Sequence, residues 1–197
     1  MRSNTTIAYF GYGSLVNLAT LQTPYISAHR ARLHGWKRAW LSRPKIVGSY
    51  APIEGLAFLS VEPCEDSIIE GMVIVDHHSS LPDLDKREVL FERVALERGS
   101  VEFLDDRTLA DEHDVFTYVA QQPKANQQAR ILRSYLDVVM RGYHHQFGET
   151  GVRDFIQSTA NFDCLIHEDR DKPVYPRSIP LEDSEALLYD SLLPTKL

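Results

Sequence analysis

The stretch YFGYGSLVN, Tyr9–Asn17, decides the fold because it joins an apolar segment to a glycine-bearing loop. β-Branched and aromatic residues over Thr5–Phe10 predict a first strand, and the glycines and serine that follow predict a tight turn. Leu15, Leu18 and Leu21 then recur at helical spacing, so the pattern predicts a strand, a loop and a helix. Such a loop presents backbone N–H groups at the start of a helix, which suits a small anion such as a carboxylate.

Other glycine-rich motifs fit this loop poorly. It lacks the third glycine of a dinucleotide fingerprint, the Gly-Lys pair of a phosphate-binding P-loop and the spacing of a nucleophile elbow. Ser14 is therefore not expected to act as a nucleophile. A purely structural interpretation stays open, in which the glycines supply the turn geometry and Ser14 caps the helix.

The composition is that of one ordinary folded domain. The chain has 197 residues, of which 43% are hydrophobic and 25% charged, and we expect a single domain over 1–197. Its core would cover about 5–160, with an extended tail over 161–197 packing on it. The formal charge of -7 and the lack of a basic cluster argue against a nucleic-acid partner. No membrane span or signal peptide is evident, which predicts a cytoplasmic protein with no membrane partner.

Strand patterns dominate about the first 120 residues, and helical patterns follow. Ser80–Asp83 resembles a capping box and predicts a short helix that reaches about Glu88. Apolar spacing over 131–147 predicts a long helix, with Gly148 as its stop and a shorter helix beginning at 152–156. Strands and helices that do not alternate indicate an α+β fold, whose sheet can curl into a barrel. The predicted strands after the first are 31–42, 54–63, 67–76, 91–97, 101–103 and 115–120.

A carboxylate on the apolar face of the short helix is the second clue to function. Leu81, Leu84 and Glu88 fall at i, i+3 and i+7, which places them on one stripe of a helix. Burying an unpaired carboxylate is costly and tends to raise its pKa, a condition that suits a general acid/base. The alternative is that Glu88 lies at the rim of the helix and pairs with Arg93 or Lys86.

Histidine, cysteine and tryptophan give no sign of a metal or ligand-stacking site. Adjacent histidines such as His144 and His145 point to different faces of an element, and no metal site is predicted. Cys64 and Cys164 lack zinc or disulfide spacing and are expected to be free or buried thiols. Trp36 and Trp40 are expected to pack in the core or in the wall of the barrel.

Taken together, the loop and the glutamate resemble motifs of the γ-glutamylcyclotransferase superfamily, including its ChaC-type and AIG2-like branches and in particular its bacterial members. The signature loop appears here as YGSL, Tyr12–Leu15, and the catalytic segment as LDKRE, Leu84–Glu88. Tyr135 and Gly142 keep the interval of a third family motif, although the serine that precedes this tyrosine departs from the usual spacing. The tail segment DRDKPVYPR, Asp169–Arg177, looks like a feature of bacterial members.

The resemblance implies a small mixed β-barrel flanked by helices, working without a cofactor or metal on a small-molecule γ-glutamyl substrate. The implied reaction cyclises the γ-glutamyl group to 5-oxoproline and releases an amine or amino acid. Glu88 would be the general acid/base, and backbone N–H groups of the loop would bind the substrate's α-carboxylate. The implied substrate-binding residues are Tyr12, Gly13, Ser14, Leu15 and Tyr135, with Tyr135 as the donor to the γ-carbonyl oxygen.

Two other interpretations stay open at the level of sequence. The chain could be a non-catalytic module on the same fold that binds a small carboxylate or a protein partner. It could also catalyse a related amine-releasing step on another substrate. The amine side of the substrate is open between glutathione, a γ-glutamyl amino acid and a γ-glutamyl-amine, and so is the oligomeric state.

Overall fold

A computed structural model describes residues 6–21, 24–42, 55–97, 99–105, 114–121, 129–163 and 165–194. These residues form strands and three α-helices, in agreement with the predicted α+β class. The strands are β1 (Thr6–Gly11), β2 (Ser27–Ser42), β3 (Ala57–His77), β4 (Phe91–Ala95), β5 (Val101–Phe103), β6 (Val115–Ala120), β7 (Arg130–Leu132), β8 (Thr159–Ala160) and β9 (Leu165–His167). The helices are α1 (Leu81–Arg87), α2 (Arg133–Ser158) and α3 (Asp183–Leu192).

The chain divides into two compact units, each built from two stretches of sequence. The first unit comprises Met1–Lys37 and Val61–Gln121, and the second comprises Arg38–Ser60 and Gln122–Leu197. The boundaries fall inside β2 and β3. The single domain over 1–197 stays a prediction.

A mixed sheet organises the first unit around β1. This strand pairs antiparallel with β3 and parallel with β6, and Ile7–Phe10 are buried, which explains the continuous apolar run. The strand order is β4-β6-β1-β3-β2-β5. Among the described strands β4 pairs with β6 and β5 pairs with β2, with no ladder joining β4 to β5. The sheet is therefore not a closed barrel, which corrects that part of the expectation.

One long strand replaces two of the predicted ones. The patterns at 54–63 and 67–76 both belong to β3, which continues through Pro63. Pro63 is exposed, and a strand tolerates proline where its missing N–H would face solvent.

The long helix of the second unit breaks where the sequence predicts it. Gly148 has a φ of 70° and a ψ of -171°, so two helical segments meet at this residue within α2. The start of α2 is capped from the tail, because Asp169 accepts hydrogen bonds from the Ser134 N–H at 2.8 Å and the Ser134 hydroxyl at 2.6 Å. The Asp169 carboxylate also accepts the Val174 N–H at 2.8 Å. This gives part of the Asp169–Arg177 segment a structural role.

The predicted extended tail is only partly extended. It contains β9, which pairs with β7, and it ends in α3. Tyr189 of α3 is buried and its hydroxyl lies 3.2 Å from Nδ1 of His144 on α2. Asp190 also pairs with Arg133 of α2, so aromatic and charged contacts favour a docked helix over extended chain. No helix among the described residues is long and apolar enough to cross a membrane.

Candidate functional site

The glycine loop leaves β1 and folds back over it. The chain forms two 3₁₀ turns, Ser14–Val16 and Leu18–Thr20, in place of the predicted α-helix. A Cβ on Gly11 would lie 2.6 Å from Cβ of Leu15, which is closer than real Cβ contacts. Glycine at position 11 therefore allows the loop to return over its own strand.

Thr20 explains why the loop is tighter than an α-helix. Its hydroxyl lies 3.0 Å from the Ser14 carbonyl oxygen and 2.9 Å from the Asn17 carbonyl oxygen, and it can donate to either. The Asn17 N–H also donates to the Ser14 carbonyl, three residues back. A threonine side chain that competes for backbone carbonyls in this way disfavours the four-residue ladder.

Ser14 does not cap a helix, which corrects the structural interpretation of the loop. Gly13 occupies the N-cap position of the first turn, and no side chain caps it. Ser14 Oγ instead accepts a hydrogen bond from Nη2 of Arg87 at 3.1 Å.

Arg87, the last residue of α1, joins the loop to Glu88. Its Nη1 donates to the Thr20 carbonyl oxygen at 3.0 Å, and its Nη2 donates to Thr20 Oγ1 at 3.0 Å as well as to Ser14. Its Nε donates to Oε1 of Glu88 at 3.1 Å. The side chains of Arg87 and Glu88 are 7% and 15% exposed, so this ion pair is largely shielded from water. One guanidinium thus brings the predicted loop and the predicted acid/base together.

Glu88 lies one residue beyond α1, as its C-cap. Its carboxylate pairs with the adjacent Arg87, an arrangement that the sequence interpretation did not include. Arg93, an alternative partner suggested by the sequence, pairs instead with Asp85, its Nε lying 3.2 Å from Oδ1.

The start of α1 also differs from the predicted capping box. Ser80 occupies the N-cap position, but its side chain makes no cap. Its hydroxyl donates to Oδ1 of the buried Asp76 at 2.9 Å, and the same oxygen accepts the His77 N–H at 2.6 Å. This bond ties the start of α1 to the end of β3.

Two tyrosine hydroxyls connect the loop to β6 and β6 to α1. The Tyr12 hydroxyl donates to the Tyr118 carbonyl oxygen on β6 at 2.6 Å, and the Tyr118 hydroxyl donates to Oδ1 of Asp85 at 2.7 Å. Burial, followed by this bond to Asp85, raises the pKa of Tyr118 well above its ordinary value. The phenol therefore stays protonated at neutral pH and keeps donating to α1.

Tyr9 is a buried phenol that the sequence analysis did not single out. Burial is the main cause of its raised pKa, and the Asp76 carboxylate adds to the shift. Arg87 acts in the opposite direction, and Glu88 raises the pKa further. Because these charges all influence it, Tyr9 belongs to the electrostatic surroundings of the Arg87–Glu88 pair.

Tyr135 belongs to the second unit. Its ring packs edge-on against Trp40 at 5.9 Å between centroids and against Tyr175 of the tail at 5.0 Å. Trp40 is buried in this cluster, which confirms its predicted core role. The substrate role of Tyr135 stays a prediction.

Besides Tyr9, sequence reasoning missed Thr20 and Arg87 at the site. Arg87 makes its loop contacts across 67 and 73 residues of sequence, a separation at which periodicity carries no information. The available signal was an arginine directly before the glutamate at the end of a short helix.

The described residues hold no group of three or more histidine, cysteine, aspartate or glutamate side chains that could bind a metal ion. Cys64 is a free thiol whose sulfur accepts a hydrogen bond from the Ser67 hydroxyl at 3.1 Å. Cys164 lies outside the described residues.

Comparison with solved structures shows that the chain has the gamma-glutamyl cyclotransferase fold. A solved gamma-glutamyl cyclotransferase matches with a TM-score of 0.60 at 12% identity, over 94% of this chain and 99% of that chain. The uncharacterized human protein loc79017 matches with a TM-score of 0.57 at 13% identity, over 95% and 99% of the two chains. YkqA from Bacillus subtilis matches with a TM-score of 0.52 at 19% identity, over 81% of this chain but only 57% of YkqA. The sequence matches no protein-family model and has no significant match among curated proteins.

Proposed function

We propose that the chain is a γ-glutamyl cyclotransferase that converts a γ-glutamyl amide into 5-oxoproline and a free amine. The observation that carries the proposal is the Arg87 guanidinium, which donates to Ser14 in the loop and to the Glu88 carboxylate. The predicted carboxylate-binding loop and the predicted acid/base are therefore parts of one cluster. The likeness of fold to a gamma-glutamyl cyclotransferase supports the same reaction.

In the proposed reaction the loop binds the substrate's α-carboxylate. Backbone N–H groups over Tyr12–Leu15 and the Ser14 hydroxyl would donate to it. The α-ammonium group of the same substrate would then lie within reach of Glu88, which accepts one of its protons.

The chemical step is intramolecular. The free α-amine attacks the γ-carbonyl carbon, so that a carbon–nitrogen bond closes the five-membered ring. The bond from that carbon to the departing nitrogen breaks as Glu88 returns the first proton to this nitrogen. The ring nitrogen then loses its second proton to the Glu88 carboxylate, from which it passes to the released amine, so that a lactam and an ammonium product remain. Because attacker and carbonyl belong to one molecule, holding the chain in the folded conformation removes several kcal/mol of the barrier.

The test is formation of 5-oxoproline from glutathione, γ-glutamyl amino acids and γ-glutamyl-amines, measured by mass spectrometry. Glu88→Gln keeps the size of the side chain but cannot accept the proton, so kcat should fall by a factor of about 10² to 10⁴. Glu92→Gln, an exposed glutamate on β4, is the matched control and should keep wild-type turnover.

The outcomes separate the two classes of function. Undiminished turnover in Glu88→Gln would refute the assignment of the base. Absence of product from folded wild-type protein across the panel would refute the cyclotransferase and favour the carboxylate-binding or protein-interaction module.

The role of Tyr135 as donor to the γ-carbonyl oxygen is implied by the resemblance alone, and one variant tests it. Tyr135→Phe keeps the ring that packs on Trp40 and Tyr175 and removes only the hydroxyl. A donor to the developing oxyanion should cost about 10²- to 10³-fold in kcat when lost. Wild-type kcat in this variant would assign the donor to another residue.

A further inference from the structure

We propose that Arg87 is a positioning residue, which aims the Ser14 hydroxyl proton at the substrate's α-carboxylate while it holds the Glu88 carboxylate in place. This inference rests on the proposed function and adds a residue to it. The direction of each hydrogen bond in the cluster supports this role.

A guanidinium carries only donors, so every atom that it contacts must accept. Ser14 Oγ, at 3.1 Å from Nη2, therefore accepts a hydrogen bond from Arg87 with one lone pair, and its own O–H group can still donate. Among the described residues none accepts that proton. The Arg87 guanidinium thus orients the Ser14 hydroxyl as a donor. When one hydroxyl accepts one hydrogen bond and donates another, the two bonds strengthen each other.

The donor nitrogens of Arg87 lie in one rigid plane. The guanidinium is flat, and its Nε donates to Glu88 while its Nη2 donates to Ser14 and Thr20. A displacement of Glu88 relative to the loop would therefore break the hydrogen bonds of Arg87 either to Glu88 or to the loop. Proton transfer between Glu88 and a substrate held by the loop depends on that separation, because misplaced reacting groups lose rate steeply.

A role limited to stability would make a different prediction. The loop carbonyls are already bonded by Thr20 Oγ1, and the loop is also tied to β6 through Tyr12. These contacts hold the backbone without Arg87. The bond from Arg87 to Ser14 adds the direction of a side-chain proton, which matters for the ligand.

The experiment measures kcat and KM for Arg87→Lys, Ser14→Ala and the double variant, on the γ-glutamyl substrate that the wild type turns over best. Lysine keeps the charge but offers one nitrogen, which cannot bond Ser14 and Glu88 in the geometry of the guanidinium. Loss of one hydrogen bond to a charged group is worth about 10- to 100-fold. Ser14→Ala should raise KM by that factor, and Arg87→Lys should raise KM similarly and also lower kcat.

The double variant distinguishes positioning from stability. If Arg87 acts through Ser14, its replacement has no further effect on KM once Ser14 is alanine, so the two losses are not additive. Arg32→Lys is the matched control, because Arg32 also bonds a carboxylate, Glu70, from Nε and Nη2 at 3.4 and 3.3 Å. This control should keep wild-type kinetics.

The outcomes are distinguishable from failure of the proposed function. A wild type without turnover refutes the cyclotransferase and this inference with it. An active wild type whose Arg87→Lys variant has unchanged kinetics, or whose losses in KM add fully, refutes the role of Arg87 alone. If Arg87→Lys does not fold, Ser14→Ala decides, since an unchanged KM in that variant overturns the proposal.

Discussion

Replacement of Asp169 should destabilise the protein strongly, because this carboxylate completes the start of α2. Asp169 is 6% exposed, and its carboxylate accepts three hydrogen bonds, from the Ser134 N–H, the Ser134 hydroxyl and the Val174 N–H. Alanine at this position would leave these donors buried without their acceptor.

The expected magnitude follows from the number of bonds. Each hydrogen bond to a charged group contributes about 1.5–3 kcal/mol, but the losses are not additive, because rearranged donors reach other acceptors or water. We therefore expect Asp169→Ala to lower the free energy of unfolding by about 4 kcal/mol. In a chain of this size that corresponds to a decrease in Tm of roughly 8–16 °C.

Urea unfolding followed by circular dichroism at the helical band measures this loss, since α2 is the longest helix described. Asp171→Ala is the matched control: Asp171 is exposed two residues further along, and its replacement should change stability by less than about 0.5 kcal/mol. A loss below about 1 kcal/mol in Asp169→Ala would refute the capping argument.

Two glycine substitutions test opposite constraints, both by thermal denaturation. Gly11→Ala places a Cβ 2.6 Å from that of Leu15, so overpacking should lower the free energy of unfolding by about 1–3 kcal/mol. The displaced loop should also raise KM. Wild-type stability in this variant would contradict the close approach. Gly148→Ala meets no atom within 4 Å, but its φ of 70° with ψ of -171° disfavours any side chain, so about 1–3 kcal/mol should be lost through backbone conformation alone. A stabilised Gly148→Ala variant would show that the break in α2 is not required.

The sequence predicts the elements whose pattern is local. Alternation and apolar runs locate β1, β4 and β6 within two residues, and the composition of 131–156 predicts both segments of α2 and the break at Gly148. These predictions succeed because the apolar face of each element is encoded by residues that lie close together in the sequence.

The failures are places where distant residues decide the structure. The loop after β1 forms 3₁₀ turns because Thr20 and Arg87 take its polar atoms, and the Arg87 contacts span 67 and 73 residues. The tail forms α3 because Tyr189 contacts His144 on α2 through its hydroxyl, and these two residues are also distant in sequence. Closure of the sheet likewise depends on which strands lie at its ends, which no single segment encodes.

For the site, the sequence identifies the loop Tyr12–Leu15 and Glu88 as separate features, and Arg87 is what joins them. The spacing of residues in a sequence indicates which side chains could bind or react, but it does not show which group donates a hydrogen bond to which. The donor-only chemistry of Arg87, and with it the orientation of Ser14, becomes evident only when the bonds are known.

The central position of β1 also has a consequence for synthesis on the ribosome. This strand of residues 6–11 is synthesised well before its parallel partner β6, which ends at residue 120. At ordinary translation speeds the interval is about 5–20 s, during which the apolar run Ile7–Phe10 has no complete sheet to enter. The apolar strand therefore stays unpaired on one edge during this interval, and the glycine loop gains its Tyr12 hydrogen bond to Tyr118 only after β6 has been made.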